Sequence, residues 1–198
     1  MAVELDDEVD LPTAFGSLPV RWAGDADHPG IEVVLARVGD IAAADEPLVR
    51  VHSECLTGEV FGSGRCDCGA QMAAALEAMR LDGAGVLAYV RGHEGRGIGL
   101  RQKLAAYRLQ DRGHDTFAAN RELGLPDDAR RYEVPAAALA ALGLRRVRLL
   151  TENPHKVTAL RAAGLSVVPT PFDAEAPVAS TAYVQAKRLW FVANGAAG

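Results

Sequence analysis

The chain's three cysteines, Cys55, Cys66 and Cys68, fall within fourteen consecutive residues. An odd, clustered set of thiols fits metal or thiol chemistry better than a disulfide framework. In an extended segment alternate side chains share a face, so Cys66 and Cys68 can point at one ion. Three thiolates leave one position of a tetrahedral zinc site open, as catalytic centres do. A histidine such as His52 in that position would instead close a structural site. Both readings stand at this point, beside that of three inert buried thiols. A helix beginning near Gly69 would set the positive end of its dipole beside the sulfurs and lower their pKa.

Cations are the second chemical feature. Of 21 basic residues only Lys103, Lys156 and Lys187 are lysines, and the rest are arginines. Arginine forks suit phosphates and carboxylates, although a chain this rich in alanine also gains arginine through base-composition bias. The stretch from Gly92 to Gly99 (GHEGRGIG) leads into a helix, where backbone N–H groups can meet an anion; a plain tight turn has the same pattern. No G-x-x-x-x-G-K-[ST] run is present, so any phosphate cradle is of another design. Taken alone, Asp127-Asp128-Ala129-Arg130-Arg131 reads as a solvated charge run, Tyr107 as core beside Leu104, and Gln71 equally as an exposed helix residue.

The elements that must position these groups follow from periodicity. Strands are expected at 31–37, 48–52, 85–90, 146–150 and 165–168. A helix carries Met72, Leu76 and Met79 and stops at Asp82-Gly83. A second runs through Leu100, Leu104 and Tyr107 to Arg112-Gly113. Others are expected from Pro135 to Leu142, from Asn153-Pro154 to Gly164, and over 179–192. This alternation predicts an α/β fold, a mixed sheet with flanking helices and βαβ crossovers. A length of 198 residues sets one domain, 1–198, with 1–12 and 195–198 expected to be loose. The net charge of −5 disfavours nucleic acid as a partner. No eighteen-residue apolar run exists to span a membrane, and the acidic N-terminus lacks a signal core, so a cytoplasmic protein is expected.

Arg50-Val51-His52-Ser53-Glu54-Cys55-Leu56-Thr57-Gly58, followed by Arg65-Cys66-Asp67-Cys68-Gly69, resembles GTP cyclohydrolase II of riboflavin biosynthesis. Further blocks in the same order are Glu94 to Leu100 (EGRGIGL), Leu109-Gln110-Asp111 through Thr116, and Leu149 to Pro154 (LLTENP). The resemblance covers roughly Phe15 to Val168. It implies a GTP cyclohydrolase II-like α/β fold, a homodimer, one catalytic zinc ion per chain and Mg²⁺ with the triphosphate. The implied reaction opens the imidazole ring of GTP. It releases formate and pyrophosphate and leaves 2,5-diamino-6-ribosylamino-4(3H)-pyrimidinone 5′-phosphate.

Carried over by position, Cys55, Cys66 and Cys68 would hold zinc. Arg50, Val51, His52, Ser53, Glu54, Gln71, Glu94, Gly95, Arg96, Thr116, Thr151 and Lys156 would contact GTP. Asp128 would be a proton acceptor, Arg130 the nucleophile towards the α-phosphate, and Tyr107 a proton donor. A guanidinium is a poor nucleophile when protonated, so charge stabilisation at the phosphate is the simpler role for Arg130. Glu94 would read the N1–H and 2-amino group of guanine. With no dihydroxybutanone-phosphate synthase segment, the chain resembles the stand-alone form.

Four places depart from the family pattern: His93 stands in place of Gln, Ala118 in place of Glu, Glu152 in place of Asn, and Val168-Pro169-Thr170 lacks a Glu-Arg pair. These leave two alternatives open, a paralogue that retains the formyl group or takes another purine nucleotide, and a nucleotide-binding regulatory protein with structural zinc.

Overall fold

The structure, a computed structural model, describes residues 2–172, 174 and 180–194. Its centre is a mixed sheet built from β1 (Glu4–Leu5), β2 (Val9–Thr13), β3 (Gly16–Gly24), β4 (Glu32–Gly39), β5 (Leu48–Ser53), β6 (Ala84–Arg91), β7 (Arg146–Leu150) and β8 (Ser166–Thr170). The order is β1-β3-β4-β6-β5-β7-β8, with β2 also paired to β3. Strands β3, β4 and β6 run antiparallel, whereas β6, β5, β7 and β8 are mutually parallel. Helices are α1 (Leu56–Glu59), α2 (Cys68–Asp82), α3 (Glu94–Gly97), α4 (Leu100–Gln110), α5 (Thr116–Glu122), α6 (Glu133–Ala141), α7 (Pro154–Ala162) and α8 (Thr181–Asn194). The expected α/β architecture is present.

The two faces of the sheet have separate cores. Val49 and Val51 of β5 and Val86, Ala88 and Val90 of β6 pack with Val134, Leu139 and Leu160 of α6 and α7. On the other face Leu48 and Leu87 pack with Ala75, Leu76 and Met79 of α2. Since side chains alternate along a strand, Arg50 and His52 share Leu48's parity and point to the α2 side. Strand β5 is flanked by β6, reached through α2, and by β7, reached around the opposite face. Ligands in such sheets bind outside the carboxyl ends of the strands where the connections diverge. Here those ends are Ser53, Arg91 and Leu150.

The N-terminal residues differ from the expected loose leader. Leu5 pairs with Ala23, and β2 forms a hairpin with β3. Between the two strands, the Glu8 carboxylate accepts from Arg37 Nε at 2.7 Å and Nη2 at 2.5 Å, which ties the acidic segment to β4. Helix α6 begins two residues before Pro135, which sits within its first turn. Residues 195–198 lie outside the described residues, as does Ala179 at the start of the expected last helix.

Helix α5 has no expected counterpart, and its start is set by a cap. Asp115 Oδ1 accepts from the backbone N of Phe117 at 2.7 Å and of Ala118 at 2.8 Å. These bonds satisfy two of the otherwise unpaired first-turn donors. Asp115→Ala is therefore expected to destabilise the protein by about 1 kcal/mol, read as a lowered urea midpoint, while leaving the far strands intact.

Candidate active site

The carboxyl ends of β5, β6 and β7 converge on one cleft with two connected halves. The first, of about 640 Å³, is lined by the three cysteines with Lys103, Tyr107 and Thr116. The second, of about 630 Å³, is lined by Arg50, Thr151, Lys156, Lys187 and other residues. Ser53, Cys68, Arg96, Arg130 and Tyr183 border both.

In the first half the three sulfurs lie within 4.8 Å of one another, and Cys55 Sγ is 3.5 Å from Cys66 Sγ. Zinc–sulfur bonds of about 2.3 Å in a tetrahedron put sulfurs roughly 3.8 Å apart, so the spacing fits zinc. Charge leads to the same conclusion. Hydrogen bonds from Cys66 and Cys68, with Lys103 nearby, hold the Cys55 thiol far below its usual range, while the same sharing and burial push Cys66 and Cys68 up. A divalent cation among the sulfurs would favour ionisation of all three. His52 is not a fourth ligand: its Nε2 meets Glu59 Oε1 at 2.7 Å, and Tyr89 OH donates to Glu59 Oε2 at 2.6 Å. Among the described residues the ligand group is the three cysteines alone, which leaves a position for water or substrate.

Gly58 makes room for this arrangement. A Cβ there would lie 2.7 Å from Cys66 Sγ and 3.2 Å from Cys55 Sγ. Lys103 Nζ braces the cluster from α4, donating to Cys55 Sγ at 3.1 Å and to Glu94 Oε1 at 2.5 Å. The other Glu94 oxygen accepts from Leu56 N at 2.7 Å, and Gly95 N donates to Oε1 at 3.0 Å. Oε1 thus takes two donors and Oε2 one, and the carboxylate fixes α1 and Lys103. Glu54 is similarly engaged, with Oε1 accepting from Gly92 N at 2.6 Å. Tyr107 faces the cleft and not the core; its hydroxyl is 3.0 Å from Thr57 Oγ1, whereas Leu104 faces solvent.

The second half collects cations. Arg50 Nη1 donates to Leu150 O at 2.8 Å, and Nη2 donates to Gln71 Oε1. Gln71 in turn donates to Asp67 Oδ2 at 2.6 Å. Burial, partly offset by Asp67, pushes the Arg50 guanidinium down to about 10. Lys156 Nζ donates to Val51 O at 2.7 Å, and burial with Arg50 and Arg130 nearby holds it well below its ordinary value. The Val51 side chain is fully buried in the core, and its carbonyl oxygen holds Lys156 at the pocket. Thr151 Oγ1 accepts from Asn153 N at 2.9 Å and caps the turn into α7.

Arg96 joins the halves. Its φ of 63° and ψ of 37° put a non-glycine residue in the left-handed region. That conformation costs roughly 1–2 kcal/mol and is held by Ala129 N donating to Arg96 O at 2.9 Å. The guanidinium stacks 4.0 Å from the Phe117 ring centroid, yet Nη1 and Nη2 are buried without a hydrogen-bond partner. The other orphaned buried side-chain atoms among the described residues are Arg50 Nε, His52 Nδ1 and Asp67 Oδ1, all in the same region. Buried polar groups rarely stay unpaired, so this concentration marks a ligand's place.

Arg130 is held bidentately, Nε to Asp128 Oδ1 at 2.9 Å and Nη2 to Oδ2 at 2.5 Å. Burial opposes its charge, but Tyr132 and Asp128 hold its pKa above the usual value. Asp128 stays below the usual carboxylate range despite burial, through the hydrogen bonds from Arg130. The pair keeps Arg130 a charged guanidinium, which is a poor nucleophile in that form. Arg130 Nη1 also reaches Ser53 Oγ at 3.3 Å, and Ser53 Oγ lies 3.2 Å from His93 Nδ1. His93 Nε2 faces Arg131 O at 2.9 Å, an oxygen that only accepts, so Nε2 carries the hydrogen and Nδ1 accepts from Ser53.

Against known proteins, the family model described as GTP cyclohydrolase II matches residues 4–170. The chain belongs to that family. It is 54% identical over 166 residues to riboflavin biosynthesis protein RibBA of Salinispora tropica, covering 83% of this chain and 41% of that protein. It is 51% identical over 158 residues to monofunctional riboflavin biosynthesis protein RIBA 3, chloroplastic, of Arabidopsis thaliana, covering 80% and 31%. The chain thus spans less than half the length of these relatives. A solved structure, RibBX, a two-domain 3,4-dihydroxy-2-butanone 4-phosphate synthase from A. baumannii, aligns at a TM-score of 0.45 and 17% identity, covering 85% of this chain and 40% of that one.

Lys103, Tyr183 and Lys187, none of them among the expected site residues, also line the cleft. The signal was present: all three lysines of an arginine-rich chain line the cleft.

Two expectations test the geometry. Gly58→Ala should lower the zinc retained per purified chain, measured by metal analysis, because the new methyl displaces two sulfurs. His93 is pushed down to about 3, by burial first and then by Arg130. Its unfolded value is near 6.5, so between these limits only the unfolded chain takes up the proton. Stability from this group is complete above about pH 6.5 and is lost as pH falls. The stability advantage of wild type over His93→Gln should therefore shrink between about pH 7 and about pH 5, read from urea midpoints.

Proposed function

We propose that this chain carries out the hydrolytic opening of the GTP imidazole ring, with release of formate and pyrophosphate. The observation that carries this reading is the unpartnered buried fork of Arg96, set between a three-thiol cluster and a cation-lined pocket. A purine nucleotide matches that order: a ring to be hydrolysed at the sulfurs and an anionic chain among the cations.

The cysteines would hold zinc, which when bound activates water for addition and polarises a formyl oxygen. Tyr107, oriented by Thr57, is placed to hand a proton to a departing ring nitrogen. Arg96 and Arg130 meet the α-phosphate, where Arg130 stabilises developing charge as a fixed guanidinium. Asp128 and the Ser53–His93 pair hold Arg130 at that position. Arg50, Gln71, Thr151 and Lys156 surround the phosphates, and Thr116 borders the ring end. The same reading takes the protein to be a cytoplasmic homodimer that uses Mg²⁺ with the triphosphate. His93 and Glu152, the departures nearest the site, have structural partners. Glu152 faces Arg188 at 3.4 Å, so neither favours the other readings.

The test is incubation of the zinc-loaded protein with GTP and Mg²⁺, following formate and pyrophosphate separately and the pyrimidine by mass spectrometry. All three products are expected. Pyrophosphate without formate would replace this reading with a formyl-retaining reaction, and no turnover would overturn it. Arg130→Lys, which loses the bidentate fork, should lower kcat by roughly 10²–10³-fold with the fold intact.

A further inference from the structure

Helix α8 begins eleven residues beyond the stretch that the family model matches, yet it forms a wall of the cationic half of the cleft. Its docking is specific. Trp190 stacks on Phe117 with centroids 5.2 Å apart and planes at 10°, and its Nε1 donates to Asp127 Oδ2 at 3.3 Å. Arg188 meets Glu152 at 3.4 Å. These contacts aim the neighbouring Lys187 inward, where its side chain is only 22% exposed.

Lys187 Nζ lies 3.9 Å from Asp67 Oδ2, too far for a hydrogen bond, and that oxygen already accepts from Gln71. The ammonium thus has three donors and one loose electrostatic partner. Burial disfavours its charge, only partly offset by Asp67. Like Arg50 and Lys156, Lys187 borders only the second half, which Cys68 alone of the three cysteines reaches; Arg96 and Arg130 border both. With the ring at the sulfurs and the α-phosphate at the shared arginines, the β- and γ-phosphates fall to the remote cations.

We propose that Lys187 on α8 binds the outer phosphates of the nucleoside triphosphate, so that the C-terminal helix completes the site and favours triphosphate over monophosphate. This rests on the GTP reading given above. No bond is made or broken by Lys187; its role is to bind.

The experiment compares wild type, Lys187→Met and Lys187→Arg in GTP turnover and in calorimetric binding of inorganic tripolyphosphate and GMP. For Lys187→Met, KM for GTP and Kd for tripolyphosphate should each rise about tenfold, as expected for loss of one charge-assisted hydrogen bond. Affinity for GMP and the thermal midpoint should stay near wild type, and Lys187→Arg should recover most of the loss. If wild type turns over GTP and Lys187→Met matches it in KM and tripolyphosphate binding, the proposal fails and the reaction stands. An equal loss of GMP affinity would also overturn it. If wild type does not turn over GTP but loses tripolyphosphate affinity on Lys187→Met, the reaction reading fails and the phosphate site stands. Absence of tripolyphosphate binding to wild type overturns the proposal.

Discussion

The pleat of β5 is the constraint on which the site depends. Val49 and Val51 are fully buried against α6 and α7, and that packing fixes the register of the strand. A slip by one residue would send Arg50 and His52 into the apolar core and turn the valines towards α2 and the cleft. Parallel pairing to β6 on one side and β7 on the other then brings Ser53, Gly92 and Thr151 to a common edge. An apolar core on one face of a single strand thus sets where cations stand on the other. Removing them from water is costly, and the fold limits that cost through carbonyls, with Arg50 on Leu150 O and Lys156 on Val51 O.

Electrostatics at the cleft oppose the sign of the whole molecule. The chain carries a net charge of −5, yet five cationic side chains border one half of the cleft. Burial depresses Arg50, Lys156 and Lys187, and Arg50 and Arg130 depress the two lysines further. An arriving polyanion would relieve both effects, so binding phosphate and taking up protons are linked. Carboxylates behind the pocket keep particular members charged. Asp128 is committed to Arg130, both of its oxygens accepting from the guanidinium.

The chemistry was more legible in the sequence than its wiring. The spacing of Cys55, Cys66 and Cys68 favours a metal site before any fold is known, beside the reading of three buried thiols, and the fold gathers the sulfurs within 4.8 Å. Helices α2, α4 and α7 and strands β5 to β7 follow from periodicity and from caps such as Asn153. Strand β3 was hidden because GSLPVRWAG opens and closes with turn residues; its pairing comes from β2 and β4, far apart in local pattern. Helix α5 was hidden because TFAANRE is too short to show a period, and only the cap at Asp115 marks it. The bracing of Glu94 was hidden for a different reason: nothing local reveals Lys103 nine residues later closing on it.

Arg96 leaves a trace beyond the reaction. Its backbone conformation is one that glycine adopts freely, and its side chain stays buried with its fork unpaired. Folding alone would be better served by glycine at this position. Arg96→Gly would relieve the backbone and take the unpaired fork out of the cleft in one change.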